Sequence, residues 1–394
     1  MKCLIFLLFL TTANSLRRLL TMEKTPGCPN CKYPLYYTRA QGPNDTLHYI
    51  WDFYGKPTMF VALTEPNATA TFNWTEYAAL KQSVSFDSEP HYTFALVVNN
   101  VIEFNDVDDT GIMTPSTESV SYDTQRFAWT VVALMNGTSE KDFVSLDMRS
   151  TNYTDGMMSL AGNVIIQLSA FGLEGHDFLQ PRLVHTANTT QCRIIMDGLR
   201  SNTGYNASRF AVEFITVSSD SKNDSSTIES RMNLDDENSP GVFSVVDLTT
   251  PQSQNHLYKG VFLQWRPVAF TYEIPSLVNS TEVLTYNVTD VLDPKVELKD
   301  TFVYRYYGSD LNNQLIQQTV VSLGFAEDGF YKKTNYSSWT FTINYGSPET
   351  EKFSLLVIMV MAIGLGFPVV LILIGGSYML GRRLRNKNEI TLTR

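Results

Sequence analysis

The asparagines of N-glycosylation sequons are the residues of this sequence whose types and spacing best predict chemistry. Asparagine, then any residue except proline, then serine or threonine is the acceptor of N-linked sugar in secreted proteins. Such sites occur at Asn44, Asn67, Asn73, Asn136, Asn152, Asn188, Asn206, Asn223, Asn279, Asn287 and Asn335. One match often arises by chance, whereas eleven predict a heavily glycosylated surface on which each used asparagine faces solvent. We expect some of the eleven to stay unused.

The histidines give no catalytic signature. They are His48, His91, His176, His185 and His256. None belongs to an HExxH motif or another paired ligand spacing, and the sequence has no nucleophile elbow, P-loop or dinucleotide fingerprint. A serine, histidine and aspartate triad assembled across the fold stays open. We therefore predict no catalytic residue, no metal and no cofactor.

Each of two acidic stretches has two interpretations: a solvent-exposed turn or loop, and a site for cation binding or acid chemistry. Residues 106–111 (DVDDTG) begin like an EF-hand calcium loop. However, the twelfth position is Thr117 instead of glutamate, and Pro115 intervenes. We interpret the stretch as a turn that follows a strand at residues 101–104. Residues 235–237 (DDE) have the groups to bind a cation or serve acid chemistry, but we favour a solvated loop end.

Three cysteines remain after the expected removal of a signal peptide: Cys28, Cys31 and Cys192. In an oxidising lumen a disulfide is expected, and an odd count leaves one thiol free or used between chains. Cys28 and Cys31 have the spacing of a redox motif, but no thioredoxin-like pattern surrounds them. We favour a structural disulfide, either Cys28–Cys31 or one that involves Cys192. A zinc site would need a fourth ligand, and none is visible.

The C-terminal region contains an uncharged apolar run at residues 353–380. Twenty-eight helical residues would extend about 42 Å, more than the roughly 30 Å hydrocarbon core of a bilayer. The run therefore predicts a transmembrane helix. Ala362 and Gly366 have the small-xxx-small spacing that lets a second helix approach closely. The alternative is a lone anchor kinked at Pro368.

The charges that flank this run predict its orientation. Arg382, Arg383, Arg385 and Lys387 follow it, which is typical of a cytoplasmic flank, so residues 381–394 form a cytoplasmic tail. Residues 1–15 read as a signal peptide, with Lys2, an apolar stretch and cleavage after Ser15. Residues 16–352 are then lumenal. Removing the +1 of the signal and the +4 of the tail from the net charge of −10 leaves −15 for this region.

The lumenal region reads as many short strands. Phe210, Val212 and Phe214 alternate with other residues in period two, which indicates a half-buried strand. Similar runs include residues 302–306, and a convincing helical period is nearly absent outside residues 76–81. Polar stretches at residues 105–125 and 217–240 indicate exposed loops or a linker. We predict an all-β, β-sandwich-like ectodomain of two lobes, with a boundary near residues 180–240.

Several segments, taken in order, are similar to a known family. They are residues 46–51 (TLHYIW), 103–104 (EF), 181–187 (PRLVHTA) with Cys192, 235–237 (DDE) with Pro240 and residues 242–243 (VF), and 264–270 (QWRPVAF). With the signal, the sequons and the single C-terminal span, this order resembles the glycosylated lysosomal membrane protein family. The resemblance covers most of the chain, and no segment in it is a catalytic motif.

The resemblance implies a role that is not enzymatic. Members of this family act as the accessory subunit of a lysosomal major facilitator superfamily transporter that exports dipeptides. The subunit shields the transporter from lysosomal proteases and supports its residence in the lysosomal membrane. A homodimer is left open as a second partner, and the acidic surface disfavours nucleic acid. The alternatives are a lumenal acid hydrolase and a cell-surface ligand-binding or adhesion ectodomain.

Overall fold

The computed structural model describes residues 17–136, 142–156, 158–201, 204–232, 241–254, 260–348 and 355–391. Its strands are β1 (Leu19–Lys24), β2 (Leu35–Gln41), β3 (Thr46–Asp52), β4 (Thr58–Thr64), β5 (Ala70–Phe72), β6 (Val84–Phe86), β7 (Tyr92–Asn105), β8 (Ser119–Asp123), β9 (Phe127–Met135), β10 (Phe143–Asp155), β11 (Met158–Phe171), β12 (Gly175–His176), β13 (Val184–His185), β14 (Thr189–Ser201), β15 (Ser208–Ser221), β16 (Thr227–Met232), β17 (Ser244–Thr249), β18 (Gly260–Trp265), β19 (Val268–Phe270), β20 (Ser280–Thr285), β21 (Thr289–Asp290), β22 (Gln314–Leu323) and β23 (Tyr336–Gly346). Its α-helices are α1 (Trp74–Ala78), α2 (Pro251–Gln254), α3 (Pro294–Leu298), α4 (Phe302–Tyr307) and α5 (Leu355–Thr391). The predicted all-β class with one long C-terminal helix is confirmed.

The strands form two antiparallel layers. The first layer has the order β1–β2–β3–β4–β7–β15–β22. The second has the order β9–β10–β11–β14–β23–β18–β17–β16. Strand β20 pairs with β19 beside the second layer and with β22 in the first, and so joins the two.

The main hydrophobic core lies between the two layers and takes side chains from both. Phe214 of β15 meets Trp339 and Phe341 of β23, with ring centroids 6.0 and 5.7 Å apart. At another place Tyr122 of β8 packs edge-on against Tyr153 of β10 at 5.1 Å. Each such side chain contributes about 1.5–3 kcal/mol through burial. The alternating apolar residues therefore bury the facing sides of a sandwich.

A second core covers the opposite face of the first layer. Helices α1, α3 and α4 and the β5–β6 hairpin supply its outer side chains. Phe302 of α4 packs on Phe60 of β4, with ring centroids 5.1 Å apart. Strands β3 and β4 are consequently buried at every position instead of every second one. A strand covered on both faces loses the alternating pattern, as these two do.

Residues 17–348 belong to one compact unit, and residues 355–391 to another. Within the first unit, the two long strands that lie inside residues 180–240 each pair with an earlier strand on one edge and with a later strand on the other. Strand β15 pairs with β7 and β22, and β14 pairs with β11 and β23. The expected two lobes therefore do not follow one another along the chain. Instead, successive segments of the chain contribute strands to the two layers in turn.

The structure corrects two local expectations. Residues 302–306 were expected as a strand, and they lie in α4. Phe302, Val303 and Tyr307 all pack into the second core at helical spacing, and this packing outweighs the strand preference of aromatic residues. The loop prediction for the two polar stretches is wrong where they form β8 and β16.

Candidate glycan-bearing surface and membrane anchor

Ten of the eleven sequon asparagines lie outside the strands. Asn44 is in the turn between β2 and β3, and Asn223 is in the turn between β15 and β16. Asn206 lies two positions before the start of β15, at the end of the first layer where Ser208 pairs with Asn105. Turns offer a bulky sugar room without disturbing a strand ladder.

The side chains of seven sequon asparagines are exposed. They are Asn44, Asn67, Asn73, Asn136, Asn206, Asn223 and Asn287. Two of them use the amide oxygen in the fold and leave the nitrogen that would carry sugar free for attachment. Asn73 caps α1, with its Oδ1 accepting from the backbone N–H of Glu76 at 3.3 Å. Capping and glycosylation are compatible at such a residue because they use different atoms.

The remaining sequons are less open. Asn188, Asn279 and Asn335 are half-buried, and the side chain of Asn152 lies outside the described residues. Asn188 uses both of its amide atoms: Oδ1 accepts from Nε of Arg18 at 2.9 Å, and Nδ2 donates to the carbonyl of Tyr345 at 3.4 Å. The structure thus separates Asn188 from the seven exposed positions.

Residues 106–111 form an ion-paired turn. The Arg209 guanidinium is 1% exposed and lies 2.6 Å from Asp106, 2.6 Å from Asp109 and 2.7 Å from Asp328. Burial opposes ionisation of Asp106, but backbone N–H donors from Gly111 and Thr110 and the Arg209 guanidinium lower the pKa of that carboxyl. The turn interpretation is therefore confirmed.

In the part of the chain that the structure covers, no three His, Cys, Asp or Glu side chains are grouped to hold a metal. Residues 235–237, the other acidic stretch, lie outside the described residues.

The described histidines serve packing or surface contacts. His48 is fully buried, and its ring nitrogens lie 2.7 Å from the Tyr37 hydroxyl and 2.8 Å from the Thr64 hydroxyl. His185 stacks on Phe171, with centroids 3.6 Å apart. His91 forms an exposed contact with Glu65 at 3.1 Å. Within the described residues, none of the four histidines present hydrogen-bonds to a serine hydroxyl.

The three cysteines form one disulfide and leave one buried free thiol. Cys28 and Cys31 form a disulfide in the segment that precedes β2, which confirms a structural staple at this pair. Cys192 of β14 is fully buried and free. Burial raises the pKa of its thiol, so the reactive thiolate form is suppressed.

Helix α5 has 37 residues and contains Pro368. Residues Ile358–Arg383 make it long and apolar enough to cross a membrane, at about 39 Å for 26 residues. Ala362 and Gly366 are four residues apart and share one face, with Gly364 on the opposite face. A Cβ placed at Gly364 or Gly366 would meet no heavy atom within 4 Å. Both glycine faces of the helix are therefore open to a neighbour.

Comparison with known proteins identifies the family. Residues 34–386 match the family described as glycosylated lysosomal membrane protein. The chain is 30% identical to glycosylated lysosomal membrane protein B of Xenopus laevis, over 91% of this chain and 88% of that protein. The chain belongs to the glycosylated lysosomal membrane protein family. The family member of Danio rerio is 30% identical over 95% of this chain and 92% of its own, and that of Homo sapiens is 27% identical over 92% and 87%.

Family membership confirms both the resemblance and the expected location. The chain is a lysosomal membrane protein with its bulk in the lumen and its C-terminus cytoplasmic, and among the described residues α5 is the one helix that could span the membrane. The names of these three relatives are not those of enzymes. The signal peptide at residues 1–15 lies outside the described residues and stays a prediction, as do the bounds of the tail.

The sequence patterns did not predict the cluster of ion pairs around Arg209. The partners of Arg209 lie 100 to 119 residues away along the chain, so no local spacing announces them. The only local sign was the acidic stretch at residues 106–111. We interpreted this stretch as a turn and did not foresee that Arg209 pairs with it.

Proposed function

We propose that this protein is a heavily glycosylated accessory subunit that binds a lysosomal major facilitator superfamily transporter, one that carries dipeptides. Its lumenal unit protects the transporter from lysosomal proteases and supports the transporter's residence in the lysosomal membrane. The family's lysosomal membrane location provides the setting for this role. The protein contributes bulk and sugar to the pair, and the transporter contributes the transport activity.

The exposure of seven sequon asparagines carries the proposal. They are spread over the lumenal unit: Asn44 lies at the end of the first layer where β7 begins, and Asn206 at the end where β7 finishes. A protease must bind an extended stretch of backbone in its cleft, and a bulky hydrophilic glycan nearby blocks that approach. A surface with sugar at both ends would keep proteases away from the protein and from whatever lies under it.

The membrane helix supports a lateral partner. The Ala362 and Gly366 face of α5 is small enough for a second helix to approach closely, and nothing in the described helix occupies it. Close helix contact in a bilayer depends on packing because lipid supplies no hydrophobic drive between helices. This face is our candidate for contact with the transporter.

The clefts beside Phe330 give little support to the acid hydrolase. Such an enzyme needs a pocket in which carboxylates converge. Phe330 lines two clefts of the lumenal unit, of which one contains Asp328, paired with Arg209, and the other contains Glu118. Each of the two thus presents a single carboxylate. A homodimer and a cell-surface ectodomain gain no specific observation, and the homodimer stays a prediction.

Purification in mild detergent tests the pairing. The protein, tagged at its C-terminus and expressed in mammalian cells, should bring down a multispanning lysosomal transporter. Deleting the protein should shorten the half-life of that transporter, and inhibition of lysosomal proteases should restore it. An unchanged transporter half-life after deletion would overturn the proposal, and so would purification without any multispanning partner.

A further inference from the structure

A cleft of about 500 Å³ opens beside the sequon of Asn206. This volume falls within the roughly 300–1,000 Å³ of ordinary small-molecule sites. Its walls combine apolar side chains with polar ones, among them Val107, Tyr205, Phe330, Asn105, Glu118 and Asn206 itself. Apolar walls with a few polar groups suit a small ligand that has both an apolar face and hydrogen-bonding groups.

Asn206 lies in the wall of this cleft, so a sugar attached to it would begin at the cleft. Its side chain is exposed, and no hydrogen bond to a described residue occupies its amide. A smaller cleft of about 180 Å³ likewise has a sequon asparagine, Asn279, in its wall. Phe330 lines both clefts. Two sugar attachment points thus flank the same aromatic ring.

Phe330 is held in place by Arg209. The Arg209 guanidinium lies over its ring, 5.2 Å from the centroid. Three carboxylates and the carbonyl of Phe325 fix that guanidinium in turn. A ring fixed by a buried, fully paired cation loses little freedom when a ligand settles on it, which favours binding.

We propose that the first N-acetylglucosamine attached to Asn206 lies in this cleft. The sugar's carbon-bound hydrogens would cover Phe330, Tyr205 and Val107, while its acetamido and hydroxyl groups would reach Glu118 and Asn105. Covalent attachment at the wall keeps the local concentration of the sugar high, so even weak contacts suffice to hold it. The inference rests on the proposed glycan coat and adds that one of its sugars is packed against the protein.

Packing of the sugar in the cleft would protect both the protein surface there and the bond that attaches the sugar. Val107, which lines this cleft, is 72% exposed without sugar. The sugar would cover Val107 and the neighbouring turn at residues 106–111. In return, the bond between sugar and Asn206 would be less accessible to glycan-releasing enzymes, which is valuable in a digestive compartment.

Site-resolved release of glycans tests the inference. The full-length glycoprotein, purified in detergent, is treated with peptide-N-glycosidase in heavy-oxygen water, and each labelled site is timed by mass spectrometry. Asn223, exposed in an open turn, is the matched control. We expect release at Asn206 to be about tenfold slower than at Asn223, the factor for roughly 1.4 kcal/mol of contact energy. Equal rates, or an Asn206 that carries no sugar, would overturn the inference.

Two variants separate the cleft from general folding effects. Phe330→Ala removes the ring, and Val107→Ser changes only an exposed side chain that folding should tolerate. Either should raise the release rate at Asn206 toward that at Asn223 and leave the Asn223 rate unchanged. A slow rate at Asn206 that neither variant alters would contradict the cleft. Failure here would leave the glycan coat intact, because the coat is tested separately by the transporter's half-life.

Discussion

His48 shows how a single buried residue makes the stability of this protein depend on pH. It is fully enclosed, with Tyr37 and Thr64 at its two ring nitrogens. Burial lowers the pKa of His48 from 6.5 to about 3. The folded protein therefore keeps this imidazole neutral in an acidic lumen, whereas the unfolded chain protonates it below its ordinary pKa.

This difference predicts a loss of stability on acidification. Below pH 6.5 the unfolded state binds a proton that the folded state does not. The free energy of unfolding therefore decreases as the pH is lowered, down to about pH 3. From pH 7 to pH 5 the loss from this group is about 2 kcal/mol. His48→Asn should be less stable than the wild type at pH 7 but should lack this additional loss. Denaturant unfolding at both pH values measures it, and equal pH dependence in the two proteins would refute the prediction.

Arg209 should be essential to the fold. Arg209→Met leaves Asp106, 3% exposed, as a buried carboxylate without its cationic partner, so we expect unfolding to become easier by about 3–5 kcal/mol. Arg126 is the control, because its 2.6 Å pair with Asp155 is half exposed. Arg126→Gln should cost less than about 1 kcal/mol. Denaturant midpoints compare the two, and similar costs would show that the buried network is dispensable.

Residue-scale chemistry was only partly predictable from the sequence. A sequon is a local pattern, so all eleven asparagines could be named in advance, but their exposure depends on contacts made by the folded chain. Asn188 illustrates this, since its partners Arg18 and Tyr345 are 170 and 157 residues away. The Cys28–Cys31 pair was predictable as an alternative because only two residues lie between the two cysteines.

At the scale of elements, the turns decide which sequons are usable. We predict that Asn188, whose amide is engaged before β14, carries no sugar, whereas Asn223 between β15 and β16 does. Asn188→Gln should then leave the glycoprotein's mass nearly unchanged and cost about 1–3 kcal/mol through lost hydrogen bonds to Arg18 and Tyr345. Asn223→Gln should remove one glycan at little cost in stability. Intact mass and thermal unfolding decide, and a glycan at Asn188 would contradict the prediction.

Helix α5 offers a matched test of its small-residue face. Gly366→Leu fills the Ala362 and Gly366 face, whereas Gly364→Leu makes the same change on the opposite face. If a partner helix packs there, Gly366→Leu should weaken co-purification of the transporter about fivefold or more, for a loss of roughly 1 kcal/mol. Gly364→Leu should have little effect. Equal effects of the two substitutions would show that this face does not bind the partner.

The elements differ in how well their sequences predict them. Strand β15 was expected from Phe210, Val212 and Phe214, which alternate along it and face the main core, whereas Ile215 and Val217 on its other face pack into the second core. Helix α4 was not, since its aromatic run favours strands and only packing against Phe60 and Asp52 makes it helical. The order of strands in the two layers depends on long-range pairing that no local pattern records.

At the scale of the whole molecule, charge and sugar act together. The lumenal region carries a net charge of −15 at neutral pH by its sequence, and partial protonation in an acidic lumen relieves the resulting self-repulsion. Glycans at the exposed sequons would add hydrophilic bulk around the sandwich, and α5 anchors the chain in the membrane. Such a molecule is suited to covering a neighbour in the membrane.

The most direct measurement is the survival of the transporter after the sugar is removed. The co-purified complex is deglycosylated without denaturation, then exposed to lysosomal proteases at acid pH, and the intact transporter is followed over time. The isolated transporter, treated in the same way, controls for its own glycans. We predict that deglycosylation of the complex shortens the transporter's half-life severalfold, toward that of the transporter alone. A half-life unaffected by removal of the sugar would contradict it.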